Sequence, residues 1–216
     1  MQSFALIWDL DGTLVDSYPA IIPAAQKVCA DHGLFYSVEE IYSESLRFSV
    51  GSFLEKAAAE HGTDSAPLKA IFNELNDTRI DQIQPMPHAE KTLDALRRDG
   101  HQSFVFTHRG ASCQVILEHT QLSFYFTEIV TALSGFPRKP SPEGIQYLIQ
   151  KYTLKKENCF YIGDRCLDME AARNAGIRSI LYLPPSSPVE STGWETYIVR
   201  DLLEIPNKLR EDSLVG

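Results

Sequence analysis

Phe4-Ala5-Leu6-Ile7-Trp8-Asp9-Leu10-Asp11-Gly12-Thr13 is the stretch on which the reading of this chain turns. Five apolar residues run without interruption and then break into two aspartates one residue apart. Such a short, unbroken run suits a strand buried on both faces, as in a parallel sheet. Carboxylates at the C-terminal end of such a strand sit where open α/β sheets hold their ligands. Asp9 and Asp11 are separated by one residue, so both carboxyl groups point to the same side of an extended backbone. Gly12 lets the chain turn sharply after them. Two acids held side by side can attack, donate a proton or hold a hard cation, which makes this strand end the expected seat of the chemistry.

Outward from that stretch, the pattern alternates. Further strand-like runs are expected over 103–107, 128–132, 158–162 and 178–183. Ala89, Leu93 and Leu96 mark a helix closed by Gly100. Ile145, Leu148, Ile149 and Tyr152 mark another, with Ser141-Pro142 as cap and first-turn proline. Strand and helix in alternation imply right-handed crossovers and a parallel sheet. The stretch from Val15 to Pro85 breaks this order, having helical patterns near 17–33, 52–61 and after Ser65, with Pro23 expected to kink or delay the first. It predicts an inserted helical subdomain, so the expected division is 1–15 plus 86–216 for the core and 16–85 for the insert.

The 216 residues are 44% hydrophobic and 23% charged, ordinary values for a globular chain. Lys and Arg number 20 against 29 Asp and Glu, a formal charge of −9, which argues against nucleic acid or an anionic membrane as partner. An anionic substrate must then be captured by local cations and a metal. Cys29, Cys113, Cys159 and Cys166 have no metal-type spacing and read as free thiols in a reducing compartment. With no signal-like or membrane-spanning segment, the expected location is the cytoplasm. The expected assembly is a monomer or a homodimer.

Three further positions fall at predicted strand ends: Thr107, Lys139 in Arg138-Lys139-Pro140-Ser141-Pro142, and Gly163-Asp164 with Asp168 four residues on. In this order they resemble the four motifs of the haloacid dehalogenase superfamily of phosphotransferases, across nearly the whole chain. The helical insert resembles the cap of the subgroup containing phosphoglycolate phosphatases and β-phosphoglucomutases. The resemblance implies an α/β fold, a Rossmann-like parallel sheet core with an inserted helical bundle cap.

The resemblance also implies roles. Asp9 attacks phosphorus to form an aspartyl-phosphate. Asp11 protonates the leaving alkoxide and then activates water; the dehalogenases of the superfamily lack an acid there. Asp9, the backbone carbonyl of Asp11, and Asp164 hold Mg²⁺. Thr107, the backbone at His108, and Lys139 receive the phosphoryl group, while Asp168 acts through water or by positioning Lys139. Many relatives carry Asn where this chain has His108, whose side chain reads as a loop group facing solvent. Arg165 reads as a surface charge or an ion-pair partner of Asp168, and Cys166 as a packing residue. Arg47, ahead of Gly51 and a helix start, is either a reader of an anionic leaving group from the cap or a surface arginine paired with Glu44 or Glu55.

The leading expectation is a Mg²⁺-dependent phosphatase acting on a small phosphorylated metabolite. A phosphomutase of the β-phosphoglucomutase type and a non-catalytic phosphate-sensing or partner-binding protein are the alternatives. Intact Asp9, Asp11, Thr107, Lys139 and Asp164 speak against the last.

Overall fold

The computed structural model describes residues 2–185 and 187–214. The outermost ends of the expected core segments, 1 and 216, lie outside them. The opening apolar run forms β1 (Ala5–Trp8), buried along its whole length. Parallel partners flank it on both sides: β4 (Gln102–Phe106) on one and β6 (Cys159–Gly163) on the other. β5 (Phe126–Val130), β7 (Arg178–Tyr182) and β8 (Tyr197–Val199) extend the sheet, so that six parallel strands among the described residues run in the order β5-β4-β1-β6-β7-β8. Successive connections leave β1 in opposite directions. The C-terminal ends of β4, β1 and β6 are therefore neighbours at the point where the strand order reverses, and a ligand crevice belongs there.

One face of the sheet packs Ile7, Phe104 and Tyr161 against α7 (Glu143–Lys151) and α8 (Cys166–Ala175), through Ile145, Leu148 and Ala172. α5 (Ala89–Arg98), α6 (Ser112–His119) and α9 (Glu204–Ser213) complete the α/β unit, which comprises Met1–Asp16 and Pro85–Gly216. Strand boundaries differ by one or two residues from expectation. β8, α6 and α9 were not expected, because three residues are too few for a periodicity to show and the two helices carry short apolar stripes. α7 starts at Glu143, with Pro142 as its cap position.

Ser17–Gln84 forms a second compact unit. It holds α1 (Tyr18–Asp31), α2 (Val38–Arg47), α3 (Val50–Glu60) and α4 (Ser65–Asp77), packed around Ile21, Val28, Ile41, Phe53, Leu54 and Leu68. Pro23 neither delays nor ends α1. The hydrogen bond it forgoes would reach Pro19 in the first turn, and burial of Ile21, Ile22, Ala24 and Ala25 outweighs that loss. α2 was not expected, although Ser37 and Glu40 form a reciprocal capping box at its start. α3 begins before Gly51, with the Ser49 side chain accepting the Ser52 N–H. Two short strands, β2 (Val15–Asp16) and β3 (Gln84–Pro85), form a separate two-stranded sheet where no strand was expected. Among the described residues no helix is long and apolar enough to cross a membrane.

Candidate active site

Asp9 is the first residue beyond β1, and its N–H still donates to Ile162 O at 2.8 Å. The chain then turns at once. Leu10 O accepts the N–H groups of Thr13, Leu14 and Val15 at 3.3, 2.9 and 3.0 Å, and Gly12 takes φ 81°. A side chain at Gly12 would strain this turn. Its tightness keeps Asp9 and Asp11 over the sheet edge rather than letting the strand run on.

Asp9 is buried at 1% exposure and sits between two cations. Arg165 donates from Nη2 to its Oδ2 at 3.1 Å. Lys139 Nζ lies 2.9 Å from Oδ1, an ion pair outside hydrogen-bonding geometry, so that Oδ1 is buried with no hydrogen-bond donor. Burial raises the Asp9 pKa, but Lys139 and Arg165 outweigh it and hold the carboxyl below its usual range. Asp9 is thus an anion already desolvated and aimed.

Lys139 precedes Pro140 through a cis peptide bond in the loop before α7, and its side chain is fully buried. It donates to Asp168 Oδ1 at 2.6 Å and to Tyr161 Oη at 2.9 Å, and Tyr161 in turn donates to Phe106 O at 2.7 Å. Asp168 therefore meets the Lys139 ammonium directly. Its other oxygen accepts the Arg165 N–H at 3.1 Å and closes the first turn of α8. Gly163 makes room for it: a Cβ there would lie 2.4 Å from Asp168 Oδ2. The glycine ahead of Asp164 is required by space.

Asp164 is the first residue beyond β6 and accepts the Thr13 hydroxyl at 3.0 Å. Burial pushes its pKa up to about 7, with Arg165 pulling the other way and Asp168 and Asp9 adding to the rise. Asp9, Asp164 and Asp168 each offer an oxygen within 4.8 Å of the others. An all-carboxylate donor set suits a hard divalent cation. Asp168 is already committed to Lys139 and Arg165, whereas Asp9 Oδ1 is without a hydrogen-bond donor. The residues present fit a hard divalent cation, which Asp9 and Asp164 could hold through their carboxylates.

Asp11 is met by a residue that sequence reasoning passed over. Arg109 is 8% exposed and donates from Nε to both Asp11 oxygens at 3.0 and 3.1 Å, and from Nη2 to Oδ1 at 2.7 Å. The fork fixes the carboxylate, with Oδ1 carrying two of the three bonds and Oδ2 one. Thr107 is buried beside it, and its Oγ1 accepts the Arg109 N–H at 3.1 Å. Arg165 is buried as well: it pairs with Asp9 and, as expected, with Asp168, its Nε 3.8 Å from Oδ2, and is not a surface charge. His108 does not face solvent: its Nδ1 is buried and its Nε2 accepts the Lys139 N–H at 2.6 Å. An arginine within two residues of a motif aspartate or threonine was the available signal for both arginines. Cys166 is exposed, and Cys29, Cys113 and Cys159 are buried free thiols.

Asp9, Asp11, Thr107, His108, Lys139, Asp164 and Asp168 thus share one site within the α/β unit. Arg47 lies in the helical unit, exposed in the last turn of α2, with its guanidinium 5.1 Å from the Phe48 ring centroid. The carboxylates weighed as its partners are taken by others, Glu44 by Lys56 and Glu55 by Lys69.

Comparison with known proteins gives the family. Residues 6–182 match the family model described as haloacid dehalogenase-like hydrolase. A plasmid-encoded phosphoglycolate phosphatase of Cupriavidus necator is 31% identical over 85% of this chain and 84% of its own length. The pyrophosphatase PpaX of Oceanobacillus iheyensis is 27% identical over 83% of each chain. A hydrolase from Pseudomonas syringae shares the fold with a TM-score of 0.79 at 23% identity, over 97% of this chain and 99% of its own. The chain belongs to the haloacid dehalogenase-like hydrolase family.

Proposed function

We propose that this protein is a Mg²⁺-dependent phosphatase that hydrolyses a small phosphorylated metabolite through an aspartyl-phosphate on Asp9. The observation that carries the reading is the pairing of two different carboxylates at one strand end. Asp9 is buried and held anionic between Lys139 and Arg165, whereas Asp11 is partly exposed and oriented by the Arg109 fork. The first is built to attack and the second to move a proton. Relatives named as phosphatases support the reaction class, and their differing names leave the metabolite open.

In the first step, which Asp11 enters as the carboxylic acid, an Asp9 oxygen attacks phosphorus, the P–O bond to the leaving group breaks, and Asp11 gives that oxygen its proton. In the second, Asp11 takes a proton from water as the water oxygen attacks phosphorus. The bond to Asp9 breaks and orthophosphate leaves. Lys139, Thr107 and the backbone at His108 hold the phosphoryl oxygens, supplying donors where negative charge gathers. Asp9, Asp164 and the Asp11 carbonyl would hold Mg²⁺, which when bound would supply positive charge between the substrate anion and the attacking carboxylate.

The test is release of orthophosphate from a panel of phosphorylated metabolites and an aryl phosphate, with Mg²⁺ or with excess EDTA. Release that needs the metal is expected. Full release in EDTA, or an isomerised phosphate ester in place of free phosphate, refutes it.

A further inference from the structure

His108 stands where β4 runs into the site, and its side chain reaches across 31 residues of sequence to another loop. Its Nε2 accepts the Lys139 backbone N–H at 2.6 Å. A nitrogen that accepts carries no proton, so the ring is neutral and its proton is on Nδ1. That Nδ1 is buried and has no hydrogen-bond partner. Burial first, then Lys139, Arg138 and Arg165, disfavour the imidazolium. A buried, unpaired donor is a cost that sequences ordinarily remove, and an apolar residue here would remove it. The cost is retained together with the one contact that the ring makes through its other nitrogen.

That contact falls where Lys139 is most sensitive. The ammonium is held by Asp168 at 2.6 Å, with Asp9 and Tyr161 each at 2.9 Å, and the side chain is wholly enclosed. With the far end so constrained, the height of the backbone decides whether the ammonium meets these groups. The adjoining loop is otherwise tied by Asn174 to Pro140 O at 2.9 Å and by Ser141 N–H to Arg138 O at 3.0 Å. The second holds the carbonyl of the peptide group to which the Lys139 N–H belongs, and His108 holds that group from its N–H side, tying it to the end of β4. We propose that His108 is a positioning residue for Lys139, its unprotonated Nε2 holding the Lys139 N–H and thereby aiming the lysine ammonium at the phosphoryl site. This rests on the phosphatase reading for the role of Lys139, but the contact stands on geometry alone.

His108→Gln, His108→Asn and His108→Ala separate the possibilities. Glutamine places its carbonyl oxygen near the Nε2 position and can accept the Lys139 N–H, whereas asparagine reaches only as far as Nδ1. With melting temperatures matched to the parent, His108→Gln keeps kcat/KM on an aryl phosphate, while Asn and Ala lose about 10–100-fold, the range seen when supporting partners of active-site groups are removed. Activity retained by Asn and lost by Gln would assign the role to the Nδ1 donor and overturn the proposal, as would activity in all three. Long-range ¹H–¹⁵N correlation spectra of the parent at neutral pH, assigned by loss of the signal in His108→Gln, report the tautomer without any assay of activity. The Nδ1–H form is expected, and an imidazolium or the Nε2–H form overturns the contact. If the parent releases no phosphate from any monoester, the phosphatase reading fails while the spectra still decide this one.

Discussion

Gly163→Ala adds one carbon at the most crowded point of the site. The new Cβ would lie 2.4 Å from Asp168 Oδ2 and 2.5 Å from both its Cβ and Cγ, far inside any real contact. Asp168 cannot step aside cheaply, because it is fully enclosed, with Lys139 at 2.6 Å on one oxygen and the Arg165 N–H at 3.1 Å on the other. If the backbone gives way, the cost is that of overpacking, about 1–3 kcal/mol. If Asp168 is driven off Lys139, a buried ion pair breaks, at about 3–5 kcal/mol. A loss of about 2–4 kcal/mol follows, or about 5–15 °C in melting temperature for a chain of this size. The assay is urea unfolding in a double-mutant cycle with Asp168→Gly, which removes all three clashing atoms. In that background Gly163→Ala is expected to cost no more than about 1 kcal/mol, leaving a coupling of at least about 1 kcal/mol. Additive costs would refute the claim that Gly163 exists to house Asp168.

Asp164→Asn tests the crowded carboxylates by pH. Burial raises the Asp164 pKa from 3.8 to about 7, so the folded, metal-free protein holds a proton that the unfolded chain has released. Stability from this group is therefore lost as pH rises from about 4 to 7, by up to about 4 kcal/mol. In EDTA the Asn variant should melt above the parent at pH 8 and converge with it near pH 4, and Mg²⁺ should raise the parent alone; a parent that melts higher at pH 8 in EDTA would contradict this. Arg109→Ala frees the Asp11 carboxylate and is expected to lower kcat by about 10–100-fold with little change in KM, since the proton transfer it orients is made in the transition state. Arg109→Lys should not rescue it, because an ammonium cannot reproduce the fork; recovery by Lys would show that charge alone suffices. If Arg47 reads an anionic leaving group, Arg47→Ala loses about ten- to a hundredfold in kcat/KM on such a substrate and little on an aryl phosphate with an uncharged leaving group; equal losses on both would assign it to folding, and no loss on either to the surface.

The sheet was legible because burial on both faces leaves an unmistakable pattern. Leu6, Ile7 and Trp8 are fully enclosed, and no polar residue interrupts them. The acids at strand ends were legible for a related reason, since a charge at the close of an apolar run must have a purpose. What escaped was charge whose burial depends on a partner distant in sequence. Arg109 looks like a surface residue until Asp11 is brought against it, and Arg165, weighed as a partner of Asp168, also meets Asp9, a contact that only the fold supplies. His108 escaped likewise, because its partner is a backbone N–H contributed by a different loop. α2 was missed despite a signature at its start, since its apolar stripe comprises little more than Ile41 and Leu46.

Trapping the covalent intermediate tests the central claim most directly. The protein is mixed with excess phosphate monoester and Mg²⁺, quenched in acid within one turnover, reduced with borohydride and mapped by mass spectrometry. An acyl phosphate on Asp9 is reduced to homoserine at position 9, and the account predicts that change there and at no other acid of the site. Reduction at Asp11 or Asp164, or substrate turnover with Asp9 unmodified in every quench, would contradict it.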